Sequence, residues 1–153
     1  MGLGNILLSD EGFGVHFISW FEKRYRCPDN VQLIDGGTLG LGLLDIITSS
    51  EKLIVIDVIK TDDEPGSLYR FKKEEMETYL PEPTSAHEVE FVDVLIQAEL
   101  MGQCPEVVFL CIVPESYGKM YVGMTPLMTE KFQAMEELLL EELSRLNVSP
   151  KRV

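Results

Sequence analysis

The chain has 153 residues, 45% of them apolar, with 13 Lys+Arg against 26 Asp+Glu for a formal charge of −13. That length predicts one compact domain spanning residues 1–153, and the apolar share excludes a disordered chain. The acid excess disfavours nucleic acid and anionic membranes as partners. With no apolar run near the ~18 residues that span a bilayer, a cytoplasmic protein is expected.

The first notable stretch is "GLGNILLSDEGFG", residues 2–14, where an apolar run ends in the pair Asp10–Glu11 between glycines. Acids so placed either start a helix or ligate a positive centre. A Gly-x-Gly turn normally follows a strand, yet only Met1 precedes it. The first strand therefore looks truncated, its place in a sheet empty or filled by another chain. A dinucleotide site is disfavoured because Leu7 occupies the third glycine position and two acids would face a pyrophosphate.

Phe13, Phe17, Trp20 and Phe21 then share one helical face. "VQLID" (31–35) predicts a strand that Asp35 ends, followed by Gly36-Gly37-Thr38. Leu39, Leu43, Leu44 and Ile47 mark a second helix. "KLIVIDVI" (52–59) and "EVVFLCIV" (106–113) are apolar on both faces, as buried parallel strands are. "SLYRFK" (67–72) alternates and follows a turn signal, predicting an antiparallel or edge strand. Val89, Val92, Leu95 and Ile96 form a third helical stripe, and Met128, Phe132, Met135, Leu139 and Leu146 a fourth. Strands alternating with helices predict an α/β fold: a three-layer α/β/α sandwich on a mostly parallel twisted sheet.

Ligands of such sheets gather beyond the carboxyl ends of the strands. Glu11, Asp35 and Asp57 fall there. Asp57 is embedded in an apolar strand, where a carboxylate is costly unless paired; it either caps a neighbouring amide or serves a site. His87 stands at a helix start that Ser85 or Thr84 would cap. Two carboxylates and an imidazole, Glu11, Asp57 and His87, form an O/O/N donor set suited to nickel or zinc. The three cysteines lack a C-x-x-C spacing, and Cys111 reads as a buried apolar residue.

"GLGNILLSDEGFGVHFI", "DGGTLGLGLLDII", "KLIVIDVIK", "SAHEVEFVDVL" and "IVPESYGKMYVGMTP" occur in this order. Together they resemble the maturation endopeptidases of [NiFe] hydrogenases over essentially the whole chain. The resemblance implies a protease that removes the C-terminal extension of the hydrogenase large-subunit precursor once nickel is inserted. It implies metal binding at Glu11, Asp57 and His87, with a carboxylate, Glu11 or Asp57, activating water. The nickel would be sensed in the precursor, and zinc or cadmium would substitute for it. Asp35, Gly36, Gly37 and Thr38 would line the peptide groove, and Asp10 would belong to the loop. A chaperone that grips the nickel-loaded precursor without cutting it, or another metallohydrolase on this scaffold, are the rival readings.

Overall fold

The computed structural model describes residues 1–79 and 85–153. Five strands make one sheet in the order β3-β1-β4-β6-β5, with β1 Gly2–Leu3, β3 Asp35–Gly37, β4 Lys52–Val58, β5 Leu68–Lys72 and β6 Glu106–Ile112. The pairings are parallel except β5 with β6, so 68–72 is the antiparallel edge strand that its alternation predicts. A two-stranded ribbon joins β2 Tyr25–Arg26 to β7 Lys151–Arg152.

Period-two alternation in the central strands feeds two cores. Leu53, Val55, Val107, Phe109 and Cys111 pack under α2 Leu44–Thr48 and α4 Ala86–Leu100. Ile56, Val58, Val108, Leu110 and Ile112 pack under α1 Phe13–Glu22, α5 Pro126–Glu130 and α6 Phe132–Arg145. This is the expected three-layer sandwich. A further short helix, α3 Met76–Tyr79, follows β5.

The position of the first strand is filled. Residues 1–3 thread between β3 and β4: the Ile56 N–H donates to Met1 O at 2.9 Å and the Gly2 N–H to Ile34 O at 2.9 Å. No second chain is needed there, although the strand is only two residues long. Its brevity also corrects the expectation for 31–35. A ladder extends only as far as its partner, and β1 offers Gly2 and Leu3 to Asp35 and Gly37. Hence Val31 to Ile34 lie outside the strand, and Asp35 opens it rather than ending it.

Three helical stripes differ from expectation. Gly40 has φ +50 and the chain takes a 3-10 turn over Gly40–Leu43 before α2, which leaves Leu39 exposed. On α4 the buried face holds Phe91, Val94, Leu95 and Ala98, while Val89 and Ile96 face outward. Two apolar stripes compete on that helix, and the one that sets Phe91 edge-on against Phe109 is buried. The last stripe is divided at Lys131 between α5 and α6, and it buries Leu143 in place of Leu146.

The first turn of α1 lies directly on strand backbone. A Cβ at Gly14 would stand 2.2 Å from Ile56 O and 2.4 Å from Leu3 O, neither of which can move without breaking the sheet. Gly14→Ala is accordingly expected to cost about 3 kcal/mol or more, the upper range for overpacking, in denaturant unfolding. An unchanged unfolding midpoint would contradict this close approach.

Candidate functional site

Asp57 lies near the carboxyl end of β4, in phase with Val55, so its side chain enters the layer beneath α4. Its Oδ1 accepts the Val58 N–H at 2.8 Å. His87 lies in the first turn of α4, whose N-cap is Ser85; Thr84, the other candidate cap, is outside the described residues. Ser85 Oγ accepts the Glu88 N–H at 3.3 Å and meets His87 Nδ1 at 3.1 Å. That contact turns Nε2 toward Asp57, 3.3 Å from each carboxylate oxygen. Both residues are buried, as is Glu88.

Asp57, His87 and Glu88 each bring a ligand atom within 4.8 Å of the others. Two oxygens and one nitrogen, with no sulfur, suit a borderline divalent cation such as zinc or nickel. The outer contact fits as well. An Nδ1–H donated to Ser85 Oγ leaves the Nε2 lone pair for a metal, the usual second-shell arrangement of a ligating histidine.

Burial by itself pushes the His87 pKa down. The hydrogen bond to Asp57 and the charges of Asp57, Glu88 and Glu11 outweigh it and hold the imidazole above its ordinary 6.5. The sign follows from linkage: the imidazolium–carboxylate contact stabilises the fold below 6.5, and that contribution fades as pH rises through the elevated pKa. A bound cation must displace this proton, so zinc affinity is expected to be several-fold weaker at about pH 6 than at about pH 8. Competition titration with a chelating dye checks this, and equal affinities would refute it.

Glu11 stands in the 3-10 turn Ser9–Gly12, buried, with Oε2 accepting the Gly118 N–H at 2.9 Å. It is close enough for its charge to act on His87 but does not belong to the three-residue cluster. Its neighbour Asp10 is fully buried. Asp10 Oδ2 accepts the N–H groups of Glu115 and Ser116, and Oδ1 accepts that of Thr125. The acidic pair thus straps the loop after β6 to the site. Asp35 and Thr38 are exposed on the edge strand and the turn after it, whereas Gly36 is buried against Leu3 and Met1. Cys111 is buried in the core, where desolvation pushes its thiol pKa well up.

Of the sequence candidates, Asp57 and His87 are in contact and Glu11 lies nearby, while Glu88 joins them without having been a candidate. Ser85-x-x-Glu88 is the pattern of a capping box, which gives such a glutamate a local use. Here the Glu88 carboxylate reaches the cluster.

A mostly parallel α/β sandwich with a buried carboxylate–imidazole cluster at the carboxyl edge of its sheet is a framework that can carry a hydrolytic site. The family model described as hydrogenase maturation protease matches residues 15–142. The hydrogenase 2 maturation protease of Escherichia coli is 34% identical over 145 residues, covering 94% of this chain and 85% of that protein. The hydrogenase expression/formation protein HupD of Bradyrhizobium diazoefficiens is 41% identical over 107 residues, 69% of this chain and 56% of the relative. The match thus spans little more than half the length of that HupD. The solved structure of the hydrogenase maturating endopeptidase HybD from E. coli superposes with a TM-score of 0.92 at 31% identity, over 99% of this chain and 94% of that one. The chain belongs to the hydrogenase maturation protease family. Among the described residues, no helix is long and apolar enough to cross a membrane.

Proposed function

We propose that this chain is a cytoplasmic endopeptidase that removes the C-terminal extension of a nickel-loaded [NiFe] hydrogenase large-subunit precursor. The observation that carries the reading is the buried Asp57–His87–Glu88 cluster with Glu11 beside it, in a member of this family. The nickel is the precursor's cargo; Glu11, Asp57 and His87 complete its coordination and so draw the tail into the cleft. A divalent cation held there would supply polarisation of a carbonyl and acidification of water. The chain's own carboxylates, Glu11 and Asp57, hold and accept the proton of the attacking water. Asp35, Gly36, Gly37 and Thr38 line the groove for the extended tail through the backbone of the edge strand.

Incubating the protein with nickel-loaded and nickel-free precursor, and reading the released tail by mass spectrometry, tests this. Release from the loaded form alone supports it. Stable binding of the loaded precursor with no mass loss would instead make the chain a non-cleaving chaperone that uses the same cluster.

A further inference from the structure

Two short apolar stretches lie side by side at the surface. The Tyr121 N–H donates to Leu7 O at 3.0 Å, and the Ser9 N–H donates to Tyr121 O at 2.8 Å. This parallel bridge sets Ile6 and Leu7 beside Met120, Tyr121 and Val122, and all five side chains are exposed. Single apolar side chains on a surface need no explanation, but five gathered on one ribbon do. Nor is the ribbon a loose tip. Asp10 holds the N–H groups of Glu115, Ser116 and Thr125, on both sides of residues 120–122. A partner therefore meets side chains whose backbone is already ordered, which lowers the entropic cost of binding.

Its place and its charge indicate the occupant. Gly118, two residues before Met120, donates to Glu11, and Glu11 follows Leu8 by three residues, so the ribbon continues the rim of the site. An enzyme that cuts one bond near the end of a folded chain must seat the rest of that chain outside the cleft, against such a rim. In a chain of net charge −13, residues 2–9 carry no charged side chain and residues 117–129 carry only Lys119. Exposed Lys60 stands over the Tyr117 ring, 5.2 Å from its centroid, beside the start of the ribbon. Apolar side chains with cations at their border suit a partner surface that is apolar at its centre and edged by carboxylates. A second copy of this chain would bring the same lysines and another −13, both repulsive.

We infer that Ile6, Leu7, Met120, Tyr121 and Val122 dock the folded body of the precursor, on an apolar surface edged by carboxylates, while the tail enters the cleft. The inference rests on the proposed proteolytic reading and adds a contact remote from the cut bond. Such a contact is made equally before and during the reaction, so its loss raises KM and leaves kcat unchanged.

The test is steady-state release of the tail from nickel-loaded precursor, read by mass. Met120→Glu and Val122→Glu, made separately, should each raise KM about tenfold or more with kcat at the parent's value. Lys119→Glu should lower kcat/KM several-fold at low salt, with the difference fading at high salt. Leu100→Glu is the control: Leu100 is 83% exposed at the far end of α4, about 20 Å along the helix from His87. It should change neither constant. Zinc affinity and near-ultraviolet circular dichroism matching the parent verify that each variant is folded. An unchanged KM in folded Met120→Glu and Val122→Glu, or a fall in kcat alone, overturns the docking surface while leaving proteolysis intact. An equal rise in Leu100→Glu, or a dimer in sedimentation that Met120→Glu dissolves, does the same. If the unmodified enzyme cuts no loaded precursor, the proteolytic reading fails, and a pull-down of that precursor tests the surface separately. Met120→Glu should weaken that capture about tenfold or more, and equal capture by both proteins overturns the surface too.

Discussion

Asp57→Asn is expected to lower single-turnover release of the precursor tail by roughly 100-fold or more, the usual yield of one positioned acid–base group. The side chain is fixed from three directions: by its strand, by the Val58 N–H and by His87 Nε2 at 3.3 Å. Asn keeps the shape but removes the charge, and one of its terminal atoms becomes a donor. Whichever way the amide is turned, a donor then faces either the Val58 N–H or the metal side of the cluster.

The same variant separates two roles. If the cluster mainly grips nickel, Asp57→Asn and His87→Ala should lose precursor binding and cleavage together. If Asp57 also activates water, the Asn variant should retain the loaded precursor in a pull-down yet fail to release its tail. His87→Ala, which removes a neutral ligand and leaves the carboxylates, should then be defective chiefly in binding. Near-normal cleavage by Asp57→Asn would sink the site assignment under either role.

What could be read from the sequence follows the range of the interactions involved. The central strands 52–58 and 106–112 were legible because burial on both faces leaves a continuous apolar run, and Asp57 stood out against it. His87 was legible from its place at a helix start. The α4 face was not, because Val89–Ile96 and Phe91–Ala98 are both apolar stripes and only the packing of Phe91 on Phe109 selects one. Strand β3 was misplaced because its extent is imposed by a two-residue partner more than 30 positions away. Glu88 was hidden behind a local pattern that explains a glutamate without any site. Asp10 is the extreme case: its partners lie 105, 106 and 115 residues along the chain, beyond the reach of any periodicity.

That distant bonding gives Asp10→Asn a large expected effect on stability. The carboxylate is fully buried and accepts three backbone N–H groups, and the Thr125 hydroxyl lies within 3.1 Å of both oxygens. Both oxygens face backbone donors, so either orientation of an asparagine amide sets an NH₂ against an N–H. Charge-assisted bonds contribute about 1.5–3 kcal/mol each, and a stranded buried donor costs about 1–3 kcal/mol. A loss of about 3 kcal/mol or more is therefore expected, a fall in Tm of roughly 6–12 °C for a chain this long. Amide exchange should accelerate first at Glu115, Ser116 and Thr125. It should then quicken at Gly118, whose N–H holds Glu11 at 2.9 Å. Thr125→Val, which removes only the hydroxyl, should cost about 1 kcal/mol and leave those amides protected. Loosening the loop also frees Glu11, so zinc affinity should weaken in Asp10→Asn even at temperatures where the fold persists. A variant with the parent's Tm and slow exchange at all four amides would show that the acidic pair does not strap this loop.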